Sequence, residues 1–418
     1  MKKIFNRPRG TQDIFSPNSL IFQKIRRIFE DVFKENNCKP VIFPTFENLE
    51  LFTSSLDSTT DIINKEMFTF EDRKGRNLAL RPEGTIGVAR LVCENKLLGR
   101  KEPLKVYYWA NMFRYERPQK GRYREFWQSG LEIINSQGIY SDIQIIEIIK
   151  NIFEALEVND FSITFNYLGG SETQVRYKEI LKKFIEEKEI FLCENCKRKY
   201  KNNPLRILDC SECRKRNIFP SYEDSWGEKD KIYVRSLNDL LDKLNVNYEY
   251  DYRLVRGLDY YTGIIFEIKN ENGIALAGGG RYDELYKKNF GLNFPSIGFA
   301  FGVERLIEYL TNKDNFFERN VTELIGLGIF FSFSNSEHFG KILKWKEEIK
   351  KFRLKIDYNH DNALPNISKI VKNYQPKVIV LIKNDQNIEI RDCLERKSII
   401  TSEELLIKNI KKALKLEP

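Results

Sequence analysis

Residues 113–135, FRYERPQKGRYREFWQSGLEIIN, carry side chains that could bind a small, charged, polar molecule. Apolar residues alternate on either side of a basic loop, which predicts two antiparallel strands joined by a hairpin longer than a tight turn. Arg114 ends the first strand, and Gln128, Gly130 and Glu132 share one face of the second, because strand side chains alternate with period 2. Together these residues would form a surface that recognises a small polar molecule, with a cation, an amide, a gap for a ligand and a carboxylate. The alternative is an amphipathic hairpin that only covers a core.

Four of the seven cysteines have the spacing of metal ligands. The pattern Cys193-x₂-Cys196-x₁₃-Cys210-x₂-Cys213 is typical of a four-thiolate zinc site. Residues 170–230 around it are rich in Lys, Asn and Cys and lack long apolar periodicity, so we interpret them as an insertion that a metal ion could organise. Metal loss would then loosen the insertion and spare the rest of the protein. The alternative is that these thiols bind nothing.

The bulk composition excludes several classes of protein. A chain of 418 residues is long enough for two or three domains. It has no apolar run of the ~18 residues that a membrane span needs, and its basic start lacks the apolar stretch of a secretory signal. Its few cysteines do not suggest a dense disulfide framework, so we expect a cytoplasmic protein. The net charge of +9 comes from 69 basic and 60 acidic residues and is a weak indication of a nucleic-acid partner.

The elements that must position these residues follow two different orders along the chain. Before the polar linker predicted from Asp314, helices are predicted at 19–35, 85–98, 141–157 and 299–312. Strands or hairpins are predicted there at 66–80, 105–135, 161–166, 254–268 and 274–278. After residue 323, strands at 324–331, 354–358, 377–383 and 387–391 are interspersed with helices at 337–352, 366–374 and 402–415. That second order is typical of a compact α/β domain.

Several segments resemble the motifs of one enzyme family, and their order along the chain matches as well. They are FPTFENLELF at 43–52, LRPEGT at 80–85, FRYERPQKGRYREF at 113–126, LVRGLDYYTG at 254–263, AGGGRYDEL at 277–285 and GFAFGVERL at 298–306. The chain resembles class II aminoacyl-tRNA synthetases, and among these the histidyl-tRNA synthetase family. Pro44 matches the dimer-forming proline of the first class motif. A set of matches in the right order is far more specific than any single Gly-rich run.

The resemblance implies an α+β catalytic domain with an antiparallel sheet over residues 1–322, including the insertion at about 170–230. It also implies a C-terminal α/β anticodon-binding domain over residues 323–418. The implied activity is ATP-dependent ligation of L-histidine to tRNA(His) through a histidyl-adenylate, with Mg²⁺ accompanying ATP. The implied assembly is a homodimer.

The implied ATP site depends on cations, because attack of a carboxylate on the α-phosphate concentrates negative charge at phosphorus. The planar guanidinium group of arginine stays charged and pairs bidentately with phosphate oxygens. By resemblance, Arg114 holds the α-phosphate and Arg305 the γ-phosphate. Arg256 lies between the histidine carboxylate and the α-phosphate and stabilises the transition state. Glu116 contacts the adenine amino group, and Arg122 lies on the β- and γ-phosphate side.

The implied histidine site surrounds an ammonium group and an imidazole ring. By resemblance, its residues are Glu83, Gly84, Thr85, Arg114, Gln128, Glu132, Arg256, Tyr260 and Tyr261. Glu83 and Gln128 would bind the ammonium group, and Glu132 and Tyr261 would bracket the ring. A site that hydrogen-bonds its substrate rejects analogues that leave its buried groups unpaired, often by ~10⁴-fold.

The glycine-rich strands and the hairpin loop have implied roles of their own. Residues 278–280 would let the backbone approach the ligand, and Gly298 and Gly302 would leave room for adenine. Arg117 and Gln119, with Lys120, would contact the acceptor end of the tRNA, since Arg and Gln can read base edges. The alternative for that loop is a solvated basic hairpin.

Two other functions remain open at this point. The first is a non-catalytic, histidine-binding regulatory paralogue of histidine biosynthesis that shares the fold. Such paralogues tend to lack the arginine that corresponds to Arg256 and the anticodon-binding domain, and this chain has Arg256 and about 95 residues after the linker. The second is a general RNA-binding module, which only the basic charge supports. Histidine-dependent exchange of pyrophosphate into ATP separates the three.

Overall fold

The computed structural model describes residues 5–56, 60, 62–98, 102–119, 121–187, 192–200, 203–208, 210, 212–213, 218–313, 326–360, 365–384 and 387–416. They divide into two compact units, one within residues 1–13 and 23–309 and the other within residues 14–22 and 310–418. The predicted linker from Asp314 and the predicted boundary at 322/323 lie outside the described residues. Within these ranges, no helix is both long and apolar enough to cross a membrane.

The first unit contains eleven strands among its described residues. In chain order they are β1 (Lys39–Pro40), β2 (Phe46–Asn48), β3 (Thr69–Glu71), β4 (Asn77–Leu80), β5 (Leu104–Phe113), β6 (Glu125–Ile134), β7 (Phe161–Tyr167), β8 (Tyr248–Tyr250), β9 (Thr262–Asn270), β10 (Ala275–Arg281) and β11 (Ser296–Gly302). Eight form one sheet in the order β1-β5-β6-β11-β10-β9-β7-β8. Its neighbours are antiparallel except for the parallel end pairs β1/β5 and β7/β8. The other three form a small sheet, β2-β4-β3.

The helices of the first unit connect and cover these strands. In chain order they are α1 (Asn18–Glu35), α2 (Leu49–Ser55), α3 (Thr85–Glu94), α4 (Ile139–Ala155), α5 (Ser171–Glu187), α6 (Glu194–Tyr200), α7 (Glu228–Leu244), α8 (Leu285–Phe290) and α9 (Val303–Thr311). Short 3₁₀ helices lie at Pro204–Ile207 and Tyr222–Ser225.

One face of the large sheet is covered by aromatic packing from α1 and α4. Phe29 and Phe33 recur at helical spacing on α1, and their rings contact Phe301 and Phe299 of β11, with centroids 5.1 and 6.3 Å apart. Phe153 of α4 contacts Phe301 as well. Because strand side chains alternate, the small residues between these phenylalanines face the other side of the sheet. That side remains available for a site.

The segment around the cysteines contributes to an apolar core that it shares with residues outside the segment. Helix α5 buries Tyr177, Leu181 and Ile185 on one face. They share a buried cluster with Cys196, Ile207, Leu208 and Cys213 from the segment, with Leu254 of the loop before β9 and with Ile265 of β9. The apolar residues of the segment therefore pack against the sheet region itself.

Two further sequence predictions in the first unit need correction. Residues 299–312 were predicted as a helix, but β11 occupies 296–302 and α9 begins only at Val303. Residues 254–261 were predicted as strand, but regular pairing begins at Thr262 and the preceding residues form an irregular loop. Both errors came from apolar runs, whose periodicity does not separate a buried strand from a helix or an ordered loop.

The second unit is a small α/β fold. Its described elements are β12 (Ile329–Phe333), α10 (Glu337–Ile349), β13 (Ile356–Tyr358), α11 (Ile367–Tyr374), β14 (Val378–Asn384), β15 (Asn387–Asp392), β16 (Lys397–Thr401) and α12 (Glu403–Ala413). The sheet order is β13-β12-β14-β15-β16. Alternate residues of β12 and β14 pack into two separate clusters, one with α10 and α12 and the other with α11. The predicted α/β order is confirmed there, with β16 as an addition.

Candidate functional site

A cavity in the first unit brings most of the predicted site residues together. It is lined by Glu83, Thr85, Arg114, Glu116, Arg122, Gln128, Glu132, Arg256, Tyr260, Tyr261 and Arg305. They come from the start of α3, the β5–β6 hairpin, the loop before β9 and the start of α9. Gly84, Arg117 and Gln119 are not among the lining residues. The cavity therefore collects residues from segments that are more than 200 positions apart in the chain.

Glu83 is fixed at the beginning of α3. Its carboxylate accepts hydrogen bonds from the backbone amides of Thr85 (2.8 Å) and Ile86 (2.7 Å), and the Tyr260 hydroxyl lies 3.3 Å away. A negative charge is stabilised at a helix N-terminus by these unpaired amides. Burial nevertheless raises the pKa of Glu83, a residue that is only 3% exposed. The group is oriented before any ligand arrives.

Glu132 is held by two hydroxyl groups. Thr85 donates to one carboxylate oxygen (2.9 Å), and Tyr282 donates to the other (2.7 Å). Burial raises the pKa of Glu132 to about 8. Tyr282 follows the glycine-rich run of β10, and its role was missed from the sequence because a tyrosine there is equally typical of a core.

The gap expected at Gly130 is not open to a ligand. A side chain at Gly130 or at Gly84 would collide with the ring of Tyr108, which is buried between them. The expectation that a ligand lies over Gly130 was therefore wrong. Both glycines instead make room for an aromatic ring in the wall of the cavity.

Two other glycines make room for predicted site residues. A Cβ atom at Gly278 would lie 2.5–2.7 Å from the guanidinium group of Arg256. A Cβ atom at Gly298 would collide with the carboxylate of Glu132. Both glycines also line the cavity, so the expectation that the backbone approaches a ligand there stays a prediction.

The arginine side chains are held by acceptors from the protein. Arg114 donates its Nε to the Pro82 carbonyl (2.8 Å). Arg305 donates to the carbonyls of Gly121 (3.0 Å) and Ala275 (3.2 Å). Arginine has five N–H donors, and these bonds use only some of them. The remaining donors of each guanidinium group point in other directions.

Arg256 and Arg122 each have an acidic partner. Arg256 forms an ion pair with Glu267 of β9, at 2.5 Å, and both side chains are partly exposed to the cavity. Glu267 was missed because its strand gave no motif. The Arg122 guanidinium lies 3.7 Å from the Glu116 carboxylate. Two of the predicted cations thus have carboxylate partners within the same cavity.

Glu304 is a further acidic residue of the cavity that the sequence did not reveal. Its carboxylate accepts the backbone N–H of Trp127 at 2.9 Å and lies 3.4 Å from the Gln12 amide. Burial raises the pKa of Glu304 to about 7. The residue directly precedes Arg305, so its position in the GVERL motif was the available signal.

The hairpin loop places Glu116 and Arg122 in the cavity wall and Arg117 and Gln119 outside it. Gln119 and Arg122 pair through their backbones, with N···O distances of 3.2 and 2.8 Å. Arg117 and Gln119 are exposed. Lys120 lies outside the described residues. Arg117 and Gln119 therefore face solvent in the loop of the hairpin.

Comparison with known proteins decides the family. A sequence model of the family described as Histidyl-tRNA synthetase matches residues 10–187 and 214–306. The chain belongs to the histidyl-tRNA synthetase family. A histidine–tRNA ligase of Mycoplasma mycoides subsp. mycoides is 35% identical over 420 residues, covering 98% of this chain and 100% of that protein. A histidine–tRNA ligase of Bacillus subtilis is 41% identical over 312 residues, covering 72% of this chain and 74% of that protein.

Solved structures agree with this family. The crystal structure of apo S. aureus histidyl-tRNA synthetase superposes with a TM-score of 0.78 at 26% identity and covers 98% of this chain and all of that chain. The predicted class II fold and the predicted enzyme class are confirmed. A structure described as an ATP phosphoribosyltransferase regulatory subunit/histidyl-tRNA synthetase from Bacillus halodurans C has a TM-score of 0.68 at 21% identity, which shows the shared fold alone. The regulatory alternative is not favoured.

The four predicted metal ligands lie together in the segment between the two parts of the family match. The sulfur atoms of Cys193, Cys196, Cys210 and Cys213 all lie within 4.8 Å of one another. The Cys193 and Cys210 sulfurs are 3.7 Å apart. Four sulfurs at ~2.3 Å around one tetrahedral zinc ion would be about 3.8 Å apart. The residues that the family model matches leave out 188–213, where all four cysteines lie.

Proposed function

We propose that this chain ligates L-histidine to tRNA(His), using ATP to form a histidyl-adenylate. The observation that carries the proposal is a single cavity that combines three arginines from three motifs with two buried carboxylates. The arginines suit a polyphosphate, and the carboxylates suit a cationic amino acid. The relatives named histidine–tRNA ligase support the same reaction. The proposal places the enzyme in the cytoplasm, where charged tRNA is used.

The ATP part of the proposal assigns Arg114 to the α-phosphate and Arg305 to the γ-phosphate. Arg256 would bridge the histidine carboxylate and the α-phosphate, where charge develops during attack. Glu116 would contact the adenine amino group, and Arg122 the β- and γ-phosphates. The acceptors that hold Arg114 and Arg305 support these roles, because pre-oriented donors need little reorganisation during the reaction.

The Mg²⁺ ion of the ATP complex would supply positive charge at the phosphates. In enzymes it usually keeps several waters and binds one or two carboxylates beside the substrate phosphates. Glu267 and Glu304 are carboxylates of the cavity wall, so the residues present fit such an ion.

The histidine part of the proposal assigns Glu83 and Gln128 to the ammonium group. Glu132 and Tyr261 would bracket the imidazole, and Tyr260 would line the pocket. Thr85 supports this arrangement indirectly, because its backbone amide orients Glu83 and its hydroxyl orients Glu132. Gly84 contributes by leaving space for the Tyr108 ring. A pocket with both carboxylates pre-oriented can discriminate histidine through paired polar groups.

Contacts with tRNA would come from two regions. Arg117 and Gln119 would contact the acceptor end, which their exposure supports. Residues 323–418 would bind the anticodon. Deleting that region should leave histidine-dependent exchange largely in place and strongly weaken tRNA charging. Equal loss of both activities in a folded truncation would contradict separate roles.

A zinc ion is proposed for the four-cysteine cluster. The residues fit the ion, because their four sulfur atoms lie within 4.8 Å of one another, and thiolates are the ligands of structural zinc sites. Zinc bound there would cross-link α6 to the residues that follow Pro204–Ile207.

A homodimer is proposed on the exposed apolar residues around Pro44. Ile42 is 94% exposed, and the exposed rings of Phe46 and Phe70 contact each other with centroids 6.1 Å apart. Light scattering should give twice the chain mass of 49.5 kDa. Ile42→Glu should produce monomers, whereas Leu394→Glu, on an exposed residue of the second unit, should not. A 49.5 kDa species for the unaltered protein at micromolar concentration would contradict the proposal.

The test of the proposed reaction is exchange of labelled pyrophosphate into ATP, run separately with each of the twenty amino acids. We expect exchange with histidine alone. Transfer of labelled histidine to tRNA(His) completes the test. Histidine binding without exchange would support the regulatory alternative, and exchange with another amino acid would overturn the substrate assignment.

A further inference from the structure

The loop that carries Arg256, Tyr260 and Tyr261 has no regular secondary structure of its own. Residues 251–261 connect β8 to β9 as a series of turns and bends. Two of the cavity's aromatic rings and one of its arginines therefore depend on tertiary contacts for their positions. Several contacts of the loop backbone and of Asp259 come from the segment that contains the cysteines.

Arg206 makes the central contact with this loop. One of its terminal guanidinium nitrogens donates to the Gly257 carbonyl (3.2 Å) and to the Asp259 carboxylate (2.5 Å). The Arg206 side chain is 6% exposed, so the ion pair with Asp259 is shielded from water. Gly257 directly follows Arg256, and Asp259 directly precedes Tyr260. The two bonds thus fix the backbone on both sides of Leu258.

Asn203 reinforces the same contact. Its side-chain amide donates to Asp259 at 3.2 Å. Its side-chain oxygen caps the 3₁₀ helix Pro204–Ile207 by accepting the Leu205 amide, also at 3.2 Å. The residue therefore ties the helix that carries Arg206 to the loop that Arg206 holds.

The helix with Arg206 continues directly into the cysteine cluster. The Cys210 amide donates to the Ile207 carbonyl at 3.1 Å. Ile207 and Leu208 share a buried core with Cys196 and Cys213, and Leu254 of the loop belongs to that core. An ion that orders the four thiols would therefore also order the backbone that carries Arg206.

We propose that Arg206 is a positioning residue for histidine activation, and that the four-thiolate site acts on the reaction through it. Arg206 holds Gly257 and Asp259 so that Arg256 faces the α-phosphate. The proposal rests on the proposed ligase function and lies in the stretch that the family model does not match. It replaces the expectation that the insertion and the catalytic region are independent.

The first test compares Arg206→Ala with Arg176→Ala. Arg176 lies in the same segment and makes similar contacts, with the Ser225 carbonyl and Asp230, but it does not contact the loop. We expect Arg206→Ala to lower kcat for pyrophosphate exchange about 10²-fold, because a misplacement of ~1 Å can have that effect. The KM for ATP should change far less, and Arg176→Ala should retain kcat.

The second test changes the loop residue of the same contact, Asp259. Asp259→Asn should lower kcat, and the double variant Arg206→Ala/Asp259→Asn should be no slower than the slower single variant, because both remove one interaction. If Arg206→Ala does not fold, Asp259→Asn alone still tests the contact. Additive losses would overturn the proposal.

Hydrogen–deuterium exchange provides a readout that does not depend on activity. We expect faster amide exchange across 254–261 in Arg206→Ala and in the wild-type chain after zinc removal, with recovery in the latter when zinc is added back. Unchanged loop protection in both, or kcat of Arg206→Ala equal to that of Arg176→Ala, would overturn the proposal. Absence of exchange activity in the wild-type chain would instead contradict the proposed ligase function.

Discussion

Gly298 of β11 lies opposite Glu132 of β6 in the antiparallel pairing, and the Glu132 carboxylate occupies the space that a side chain at position 298 would need. We expect Gly298→Ala to destabilise the protein by about 1–3 kcal/mol, because overpacking forces neighbours out of position. The KM for histidine should also rise, since Glu132 must move. Urea unfolding and exchange kinetics measure both effects.

Gly340→Ala is the matched control for that substitution. Gly340 lies on the exposed side of α10, and a Cβ atom there meets nothing within 4 Å. Alanine in a helix is favoured over glycine by about 0.5–1 kcal/mol, so this variant should be as stable as the unaltered protein or slightly more stable. If Gly298→Ala behaved in the same way, the close contact with Glu132 would be wrong.

Arg256→Ala should abolish adenylate formation and leave the fold intact. Removing a cation directed at developing charge costs roughly 3–4 kcal/mol, which corresponds to a 10²–10³-fold loss of rate. Pyrophosphate exchange measures the rate, and circular dichroism checks the fold. Arg235→Ala, on an exposed residue of α7, should keep full activity. Unchanged exchange in a folded Arg256→Ala protein would overturn the role of Arg256.

Glu132→Gln should impair the use of histidine more than that of ATP. When ionised, a carboxylate is a charge-assisted acceptor, whereas an amide accepts more weakly and always presents donors. The comparison requires kcat/KM for each substrate in the exchange reaction. Wild-type values for histidine would show that Glu132 does not contact the ring.

The same substitution should change how stability depends on pH. The folded-state pKa of Glu132 is about 8, above its ordinary value of 4.5, so the folded protein keeps a proton that the unfolded chain releases between these values. Stability therefore falls as pH rises through this window, by up to about 1.4 kcal/mol per pH unit. Glu132→Gln removes this contribution. In urea unfolding without ligands, the free energy of unfolding of the variant relative to that of the wild type should increase from pH 5.5 to pH 8. Parallel plots of unfolding free energy against pH would contradict the raised pKa.

Elemental analysis of protein purified without chelators should find about one zinc ion per chain. A Cys193→Ser/Cys196→Ser double variant should lose it, because two thiolates do not close a tetrahedral site. Cys393→Ser, outside the cluster, should retain the metal. A zinc content near zero, with the four thiols reactive and the segment still ordered, would show that the cluster is not a metal site.

The sequence predicted the members of the cavity better than the contacts among them. Arg114, Arg256 and Arg305 were predicted because each lies in a segment that resembles a motif of the family, and all three line the cavity. Glu267 and Tyr282 were not predicted as site residues. An acidic residue in a strand and a tyrosine after a glycine run are common and do not indicate a site. Their importance arises only from the tertiary structure, which brings them next to Arg256 and Glu132.

The fold was predictable where periodicity was clear and less so where tertiary contacts decide. Helix α1 has an unambiguous apolar stripe and was predicted within a residue of its observed bounds. The loop at 254–261 looked like a strand because it is rich in apolar and aromatic residues. It is held instead by Arg206 and Asn203, more than 50 positions earlier, which no local pattern can reveal.

The ring of Tyr108, enclosed between Gly84 and Gly130, links three positions that are far apart in the sequence. A larger residue at either glycine requires a smaller one at position 108, and a smaller residue at 108 leaves a void behind the pocket. These positions are therefore constrained to change together during evolution. In an alignment of relatives, the three columns should covary, and a relative that lacks either glycine should also lack an aromatic residue at the third position.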